Sequence, residues 1–322
     1  MLKTPKFWTK KNLISCALVP FSWVYFVGFL LVKFFTKTTK ISKPIICIGN
    51  VIAGGSGKTP VAIAIGKIMQ EMLVDFAFLS RGYMNDGSSF LLINKGDVFK
   101  ASQVGDEPLL LSETAPTFVT TNKVLGAKQL EANNKFQAII LDDGMQSNAL
   151  CRDYTIMVVD AKIGFGNGFL IPAGPMRESL KMALKKTDLI VLIGDYDKNL
   201  LRKFSGKKIA KAKIIPISIK EFLGKKFIAF CGLAYPQKFF SLLKENGVEL
   251  VQEIGFSDHY PYKENDLENI CKISENRNLG IITTKKDWVK FSPKYRKKIS
   301  YLDIELVFED KELIKRELKK IL

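Results

Sequence analysis

A cluster of glycines between a strand pattern and a helix pattern limits what this chain can become more than any other feature. After Pro44, Ile45-Ile46-Cys47-Ile48 reads as a short buried strand; Gly49 to Pro60 (GNVIAGGSGKTP) follows, and Val61-Ala62-Ile63-Ala64-Ile65 opens a helix. Strand, glycine loop and helix in that order turn backbone N–H groups and the positive end of a helix toward a phosphate. The expected nucleotide-binding residues are therefore Ile52, Ala53, Gly54, Gly55, Ser56, Gly57, Lys58 and Thr59, with Lys58 bridging β and γ oxygens and Thr59 ligating Mg²⁺. Pro60 suits the first helical turn, where its missing N–H costs little. The strict GxxxxGK[ST] pattern asks for glycine where Ile52 stands, so the loop is a variant, xxGGxGKT. Switch ATPases that position division and partition machinery on membranes carry a lysine just before the two glycines; Ala53 fills that place here, which argues against a molecular switch.

A carboxylate must meet such a loop at the metal. Asp142 and Asp143 close the apolar run Ala138-Ile139-Ile140-Leu141, a buried strand ending in acids, and are expected to hold Mg²⁺ directly or through water. Thr284-Lys285-Lys286-Asp287 after Gly280-Ile281-Ile282-Thr283 resembles the [NT]KxD signature by which GTPases read guanine. A GTPase also needs DxxG at its second switch, and Asp142-Asp143-Gly144 has the wrong spacing. A membrane-associated GTPase or ATPase switch without a small-molecule acceptor thus stays the alternative. Gly105-Asp106-Glu107-Pro108 places two acids in the first turn of a helix, where the dipole favours them, and Asp258-His259-Tyr260 follows Gly255-Phe256-Ser257. Spacing alone leaves capping and structural roles open for both.

The apolar stretch Leu13 to Val32 has 20 residues without a charge, about 30 Å as a helix. Lysines flank both ends (Lys3, Lys6, Lys10 and Lys11; Lys33, Lys37, Lys40 and Lys43), so no orientation is preferred. With Pro20 near its middle and Trp23, Tyr25 and Phe26 beyond, the stretch reads as a segment that dips into one leaflet or lies shallowly, in preference to a crossing. A buried core helix is the alternative; no small-x-small cleavage site follows it, so a signal peptide is not expected. A net charge of +17 seeks anions. Basic residues are spread along the chain without an RNP or helix-turn-helix pattern, so an anionic membrane surface is expected and nucleic acid is not. No segment points to an obligate protein partner. The single histidine excludes a His-rich zinc site, and five scattered cysteines without a CxxC pair read as reduced core thiols.

Strand patterns near 44–48, 76–80, 117–121, 138–142, 154–160 and 189–194 alternate with helical ones, and a second set near 226–231, 249–254, 280–284 and 300–308 alternates with helices opening at Pro236 and Lys263. The expected fold class is α/β: a P-loop NTPase-like parallel-sheet domain (44–215), a second, smaller α/β domain (216–322), and an N-terminal apolar, membrane-associated segment (1–43). Lysine-rich Lys198 to Lys213 is the expected join.

Taken together, GNxxxGGxGKTP at Gly49 to Pro60, SRGY at Ser80 to Tyr83, GDEP at Gly105 to Pro108, DDGxQ at Asp142 to Gln146, PAGPxRE at Pro172 to Glu178, FxDH at Phe256 to His259 and TxKD near the end resemble the tetraacyldisaccharide 4'-kinase family of the lipid A pathway. The resemblance implies transfer of the γ-phosphoryl of ATP to the 4'-hydroxyl of a tetraacylated glucosamine disaccharide 1-phosphate, an acylated disaccharide lipid, on the cytoplasmic face of the Gram-negative inner membrane. It implies ATP and Mg²⁺ as cofactors, Asp106 as general base with His259 as the partner that orients it or adjusts its basicity, and Lys58 as the third catalytic residue. Arg81, Tyr83, Glu107, Gln146 and Arg177 are implied on the acceptor side, and Glu178 beside Asp142 and Asp143 at the metal. It also implies two α/β/α layers joined by a small linker, with the reaction in the cleft between them. Where the family usually reads DDGxQH this chain has Ser147, and Thr284-Lys285-Lys286-Asp287 stands where TEKD is more usual.

Overall fold

The computed structural model describes residues 5–82 and 90–322. The chain divides into two compact units. The larger comprises 5–99, 103–214 and 306–322, and the smaller comprises 215–305 with 100–102.

Among the described residues of the larger unit, eight strands form one sheet: β1 (Ile45–Gly49), β2 (Phe76–Ser80), β3 (Leu91–Ile93), β4 (Thr117–Val119), β5 (Ala138–Asp142), β6 (Tyr154–Asp160), β7 (Leu189–Ile193) and β8 (Lys208–Ile217). Their order is β8-β7-β6-β1-β5-β2-β4-β3. The pairs from β8 through β4 for which registers are defined are parallel, and β3 runs antiparallel to β4 at the edge. Every residue of β1, β2, β5, β6 and β7 is buried, as expected of parallel strands covered on both faces. One face packs Val61, Ile65 and Met69 of the helix Lys58–Glu71 with Ile314 and Leu318 of the helix Lys311–Leu318. The other packs Ala127 and Leu130 of the helix Lys123–Ala132 with Ile139, Leu141, Ile190 and Leu192. From β1 the chain first builds toward β2, and from β5 it crosses to β6 on the other side of β1. The order therefore reverses at β1, and in open parallel sheets a ligand crevice forms beyond the carboxyl ends of the strands at such a reversal.

The smaller unit is a parallel sheet of order β10-β9-β11-β12, built from β9 (Lys226–Cys231), β10 (Glu249–Gly255), β11 (Gly280–Thr284) and β12 (Ser300–Phe308). Phe227, Ala229, Phe239 and Leu243 make the core on one face; Ile228, Phe230, Leu267, Ile270 and Phe291 make it on the other.

Three features differ from the sequence expectation. The lysine-rich join is no linker: it forms a short helix, Lys198–Arg202, and then β8, in which Ala210 and Ala212 are buried while Lys208 and Lys213 are exposed. The C-terminal 306–322 belongs to the larger unit, where buried Glu317 accepts hydrogen bonds from Tyr154 Oη (2.9 Å) and Lys208 Nζ (2.8 Å). Residues 5–43 likewise belong to the larger unit rather than standing apart.

The apolar stretch also divides. Asn12 caps a short helix, Leu13–Ala17, through a reciprocal bond with Ser15; the chain re-enters at Leu18 with Pro20 in the first turn of Val19–Phe35. That helix has 17 residues, about 26 Å, and no described helix is long and apolar enough to cross a membrane. One side of it is fastened down: Ser22 Oγ donates to Leu170 O (2.8 Å) and Tyr25 Oη to Arg177 O (3.0 Å). Trp8 Nε1, further upstream, donates to Pro172 O (3.0 Å). Elsewhere on the segment Trp23, Val24, Val27, Leu31, Phe34 and Phe35 are exposed, with Phe34 at 83%.

Candidate active site

The phosphate loop is shaped by Asn50 and by the segment around Pro175. Asn50, fully buried, donates from Nδ2 to Ile52 O (2.9 Å) and Ser56 Oγ (2.6 Å), which closes the loop on itself. Ala53 N donates to Pro175 O and Arg177 N to Val51 O, both at 2.7 Å, and Ile52 bridges Met176. The PAGPxRE motif is thereby an added edge to the loop. Two expected nucleotide contacts are corrected as a result. The Ala53 N–H is already used, and the Ile52 side chain is buried in the core, so this pair braces the loop; Gly54, Gly55, Ser56, Gly57, Lys58 and Thr59 are the rest of the expected set. Gly57 takes φ +84° to cap the following helix, and a Cβ there would sit 2.7 Å from Ile193 Cδ1.

At the end of β5 the two aspartates diverge chemically. Asp142 is buried; its Oδ1 has no hydrogen-bond partner and its Oδ2 lies 3.5 Å from Ser80 Oγ. Burial pushes its carboxyl up to about 7, aided by the negative charges of Glu107 and Asp143 and opposed by Lys58 and Lys123. Asp143 adopts φ +47° and meets Lys58 Nζ at 3.7 Å and Arg177 NH1 at 3.1 Å. Burial acts to raise its pKa, but Lys58, Arg177 and Lys123 outweigh it and hold the group below the usual carboxylate range. Lys58 thus lies between Asp143 and Asn50 Oδ1 (3.5 Å).

Basic side chains fix the loop after β5 by its carbonyls. Lys123 Nζ donates to Asp142 O and Asp143 O (both 2.9 Å), Arg152 NH1 to Met145 O (2.9 Å), and Lys186 Nζ also to Met145 O. Burial lowers the pKa of both Lys123 and Lys186 against the pull of neighbouring acids. Gln146 is engaged at both ends, Nε2 to Asn50 O (2.7 Å) and Glu178 Oε1 (3.0 Å), and Oε1 from Arg177 (3.3 Å). Gln146 therefore ties loop to loop rather than facing an acceptor, and Arg177 lies on the Asp143 side. Glu178 is fully buried and paired with Lys186 at 2.8 Å, although its Oε2 has no partner. Among the described residues no three Asp, Glu, His or Cys side chains are grouped to hold a metal, so Glu178 does not join Asp142 and Asp143 in a three-carboxylate site.

Asp106, 4% exposed, opens the helix Asp106–Ser112 and accepts from Glu107 N (3.0 Å); the negative charge of Glu107 adds to the rise at Asp142. Arg81 follows β2 and its charge is felt at Lys123. Tyr83 lies outside the described residues. Ser147 is exposed in the turn after the aspartates, its N–H donating to Gly144 O (3.3 Å).

His259 belongs to the smaller unit. It has φ +53°, an uncommon conformation outside glycine, its N–H donates to Gly232 O (3.2 Å), and Lys286 Nζ lies 3.2 Å from its Nε2. Asp287, fully buried, accepts from Gly232 N (2.9 Å), Thr284 Oγ1 (2.8 Å) and Lys290 Nζ (2.9 Å). A carboxylate committed in this way is not placed to read the edge of a guanine, which removes the main support for the GTPase alternative.

A sequence model of the LpxK family, described as tetraacyldisaccharide-1-P 4'-kinase, matches residues 14–322. A tetraacyldisaccharide 4'-kinase of Mesorhizobium japonicum is 38% identical over 315 residues, covering 95% of this chain and 92% of its own length. One of Bartonella quintana is 35% identical and covers 100% and 96%. The crystal structure of the "apo" form of LpxK from Aquifex aeolicus in complex with ATP superposes with TM-score 0.76 at 25% identity, covering 96% of this chain and 99% of that one. With match, length and fold in agreement, this chain belongs to the tetraacyldisaccharide 4'-kinase family.

Proposed function

We propose that this chain transfers the γ-phosphoryl group of ATP to the 4'-hydroxyl of a tetraacylated glucosamine disaccharide 1-phosphate, at the cytoplasmic face of the inner membrane of a Gram-negative bacterium. The observation that carries the reading is Lys58 set against Asp143 at the carboxyl ends of β1 and β5, in a chain whose family match runs almost end to end. Phosphoryl transfer asks for alignment and for positive charge around the moving group. The loop N–H groups and Lys58 provide both, and Arg177 adds a second cation beside Asp143. The acceptor hydroxyl keeps its proton at neutral pH, so a carboxylate that takes it late in the transfer is needed. Asp106 is proposed as that base, with His259 orienting it or adjusting its basicity and Arg81, Tyr83 and Glu107 on the acceptor side.

The donor set fits Mg²⁺, which characteristically takes one or two carboxylates together with substrate phosphates. Asp142, with a buried and unpartnered oxygen, Asp143 and Thr59 are the residues that would hold it. When bound, the ion supplies positive charge to the phosphate oxygens.

The acceptor's acyl chains stay in or near the bilayer, and the exposed apolar residues of Leu13–Phe35 with Lys33, Lys37 and Lys40 suit an anionic lipid surface. Replacing Trp23, Phe34 and Phe35 together by serine should release the protein from anionic vesicles, because each buried aromatic contributes roughly 2 kcal/mol or more. Turnover on a detergent-dispersed acceptor should persist. Co-sedimentation as complete as for the unaltered protein would refute the anchor.

Transfer of ³²P from γ-labelled ATP to purified tetraacyldisaccharide 1-phosphate in mixed micelles tests the activity. A labelled lipid product establishes the kinase. Acceptor-independent phosphate release, or a preference for GTP, establishes the switch.

A further inference from the structure

The helix Val19–Phe35 divides lengthwise. Ser22, Tyr25, Phe26, Phe29 and Lys33 recur at the three- and four-residue spacing of one helix face and are buried or half-buried, whereas Trp23, Val27 and Phe34 between them are exposed. The exposed face suits lipid. The covered face carries two hydroxyls, and both are spent on backbone groups of the loop 169–177 that edges the phosphate loop.

Ser22 Oγ donates to Leu170 O (2.8 Å) and accepts from Ala173 N (3.2 Å), and Tyr25 Oη donates to Arg177 O (3.0 Å). Burial raises the pKa of the Tyr25 hydroxyl, which keeps the proton that this bond needs. The loop between these points has little slack. Gly174 N and Met176 N bond back to Leu170 O (2.9 Å) and Phe169 O (3.1 Å), and a Cβ at Gly174 would overlap Asn167 Oδ1 and Phe169 O. The two sides of the loop meet at Arg177. Its carbonyl accepts from Tyr25, its N–H donates to Val51 O (2.7 Å), and its NH1 reaches both oxygens of Asp143 (3.2 and 3.1 Å). All of these residues lie in the larger unit.

We propose that Tyr25 is a positioning residue for the nucleotide: it seats Arg177, and with it the phosphate loop and the Asp143 carboxylate, from the covered face of a helix whose other face meets lipid. This rests on the reading of the glycine loop as the ATP site and is independent of the acceptor.

Tyr25→Phe removes one hydroxyl and keeps the ring. KM for ATP and the calorimetric Kd for MgATP should both rise about 3- to 10-fold, the range that one hydrogen bond spans. KM for the acceptor in mixed micelles and co-sedimentation with anionic vesicles should stay as in the unaltered protein. Exchange of Trp23, Phe34 and Phe35 for serine should give the reverse pattern, with release from vesicles and an unchanged KM for ATP. In an Arg177→Met background Tyr25→Phe should weaken ATP binding less than it does alone, because part of what it positions is gone. A fall in kcat with both KM values unchanged would mark a smaller active fraction, hence a purely structural hydroxyl, and overturns the proposal. An ATP affinity indifferent to Tyr25→Phe, or weakened equally with and without the Arg177 guanidinium, overturns it too. Calorimetry needs no acceptor, so a protein that binds ATP in this Tyr25-dependent way but phosphorylates no lipid upholds the positioning role and removes the kinase reading instead.

Discussion

Asp142→Asn is expected to produce an enzyme that is more stable than its parent in the absence of nucleotide and almost inactive. The carboxyl is buried, one oxygen has no partner, and its pKa is pushed up to about 7 by burial and by Glu107 and Asp143. A raised carboxyl pKa means that the folded protein takes up a proton that the unfolded chain, titrating near 3.8, has already released. The penalty is absent below about pH 4, grows by about 1.4 kcal/mol per pH unit above it, and levels off past about pH 7, on the order of 4 kcal/mol in all. Asparagine has no charge to bury. Nucleotide-free Asp142→Asn should therefore melt several degrees above the unaltered protein at pH 8, and the two should converge as pH falls toward 4. Because Asp142 is proposed to hold Mg²⁺ at the phosphates, removing its charge should at the same time lower turnover on the order of 10²- to 10³-fold. Melting curves in buffers from pH 4 to 8, without ATP, decide the first point: a difference independent of pH would show that Asp142 is not buried as a charge.

Lys58→Met should abolish lipid phosphorylation, with a loss on the order of 10³-fold or more. The methionine keeps most of the side-chain volume in a loop closed by Asn50 and Pro175, so the fold should persist. The second consequence is electrostatic. Lys58 is one of the cations that hold Asp143 ionised and limit the rise at Asp142. Without it both acids should titrate at higher pH, so residual turnover should rise with pH over a range where the parent is flat. Substantial transfer by Lys58→Met at neutral pH would place the phosphate elsewhere.

Much of this was legible because it is local. The glycine loop, the acids at the end of β5 and the apolar runs of β1, β2, β6 and β7 are contiguous in sequence, and contiguity is what pattern reading detects. Two strands were hidden for different reasons. β3 has only three residues at an edge, and β8 buries small alanines between lysines, so its period-two alternation looks like a charged linker. In the site, Lys123, Arg152 and Lys186 escaped notice because each binds a backbone carbonyl, which has no sequence signature, from positions 7 to 41 residues away. Gln146 and Ala53 were assigned outward roles that the structure gives to bracing, because a motif shows which residues matter and not which way they face.

The return of the chain to the larger unit through 306–322 bears on how the protein is made. The smaller unit is an insertion, and the helix Lys58–Glu71 shares its core with Ile314 and Leu318 and its exposed end with Lys311, which pairs with Glu71. When the ribosome has released residues 45–214, the whole phosphate loop exists, yet the helix it opens still lacks that apolar cover. The nucleotide site is thus among the first parts synthesised and among the last completed, and a polypeptide broken off within the insertion carries the loop without the core that supports it.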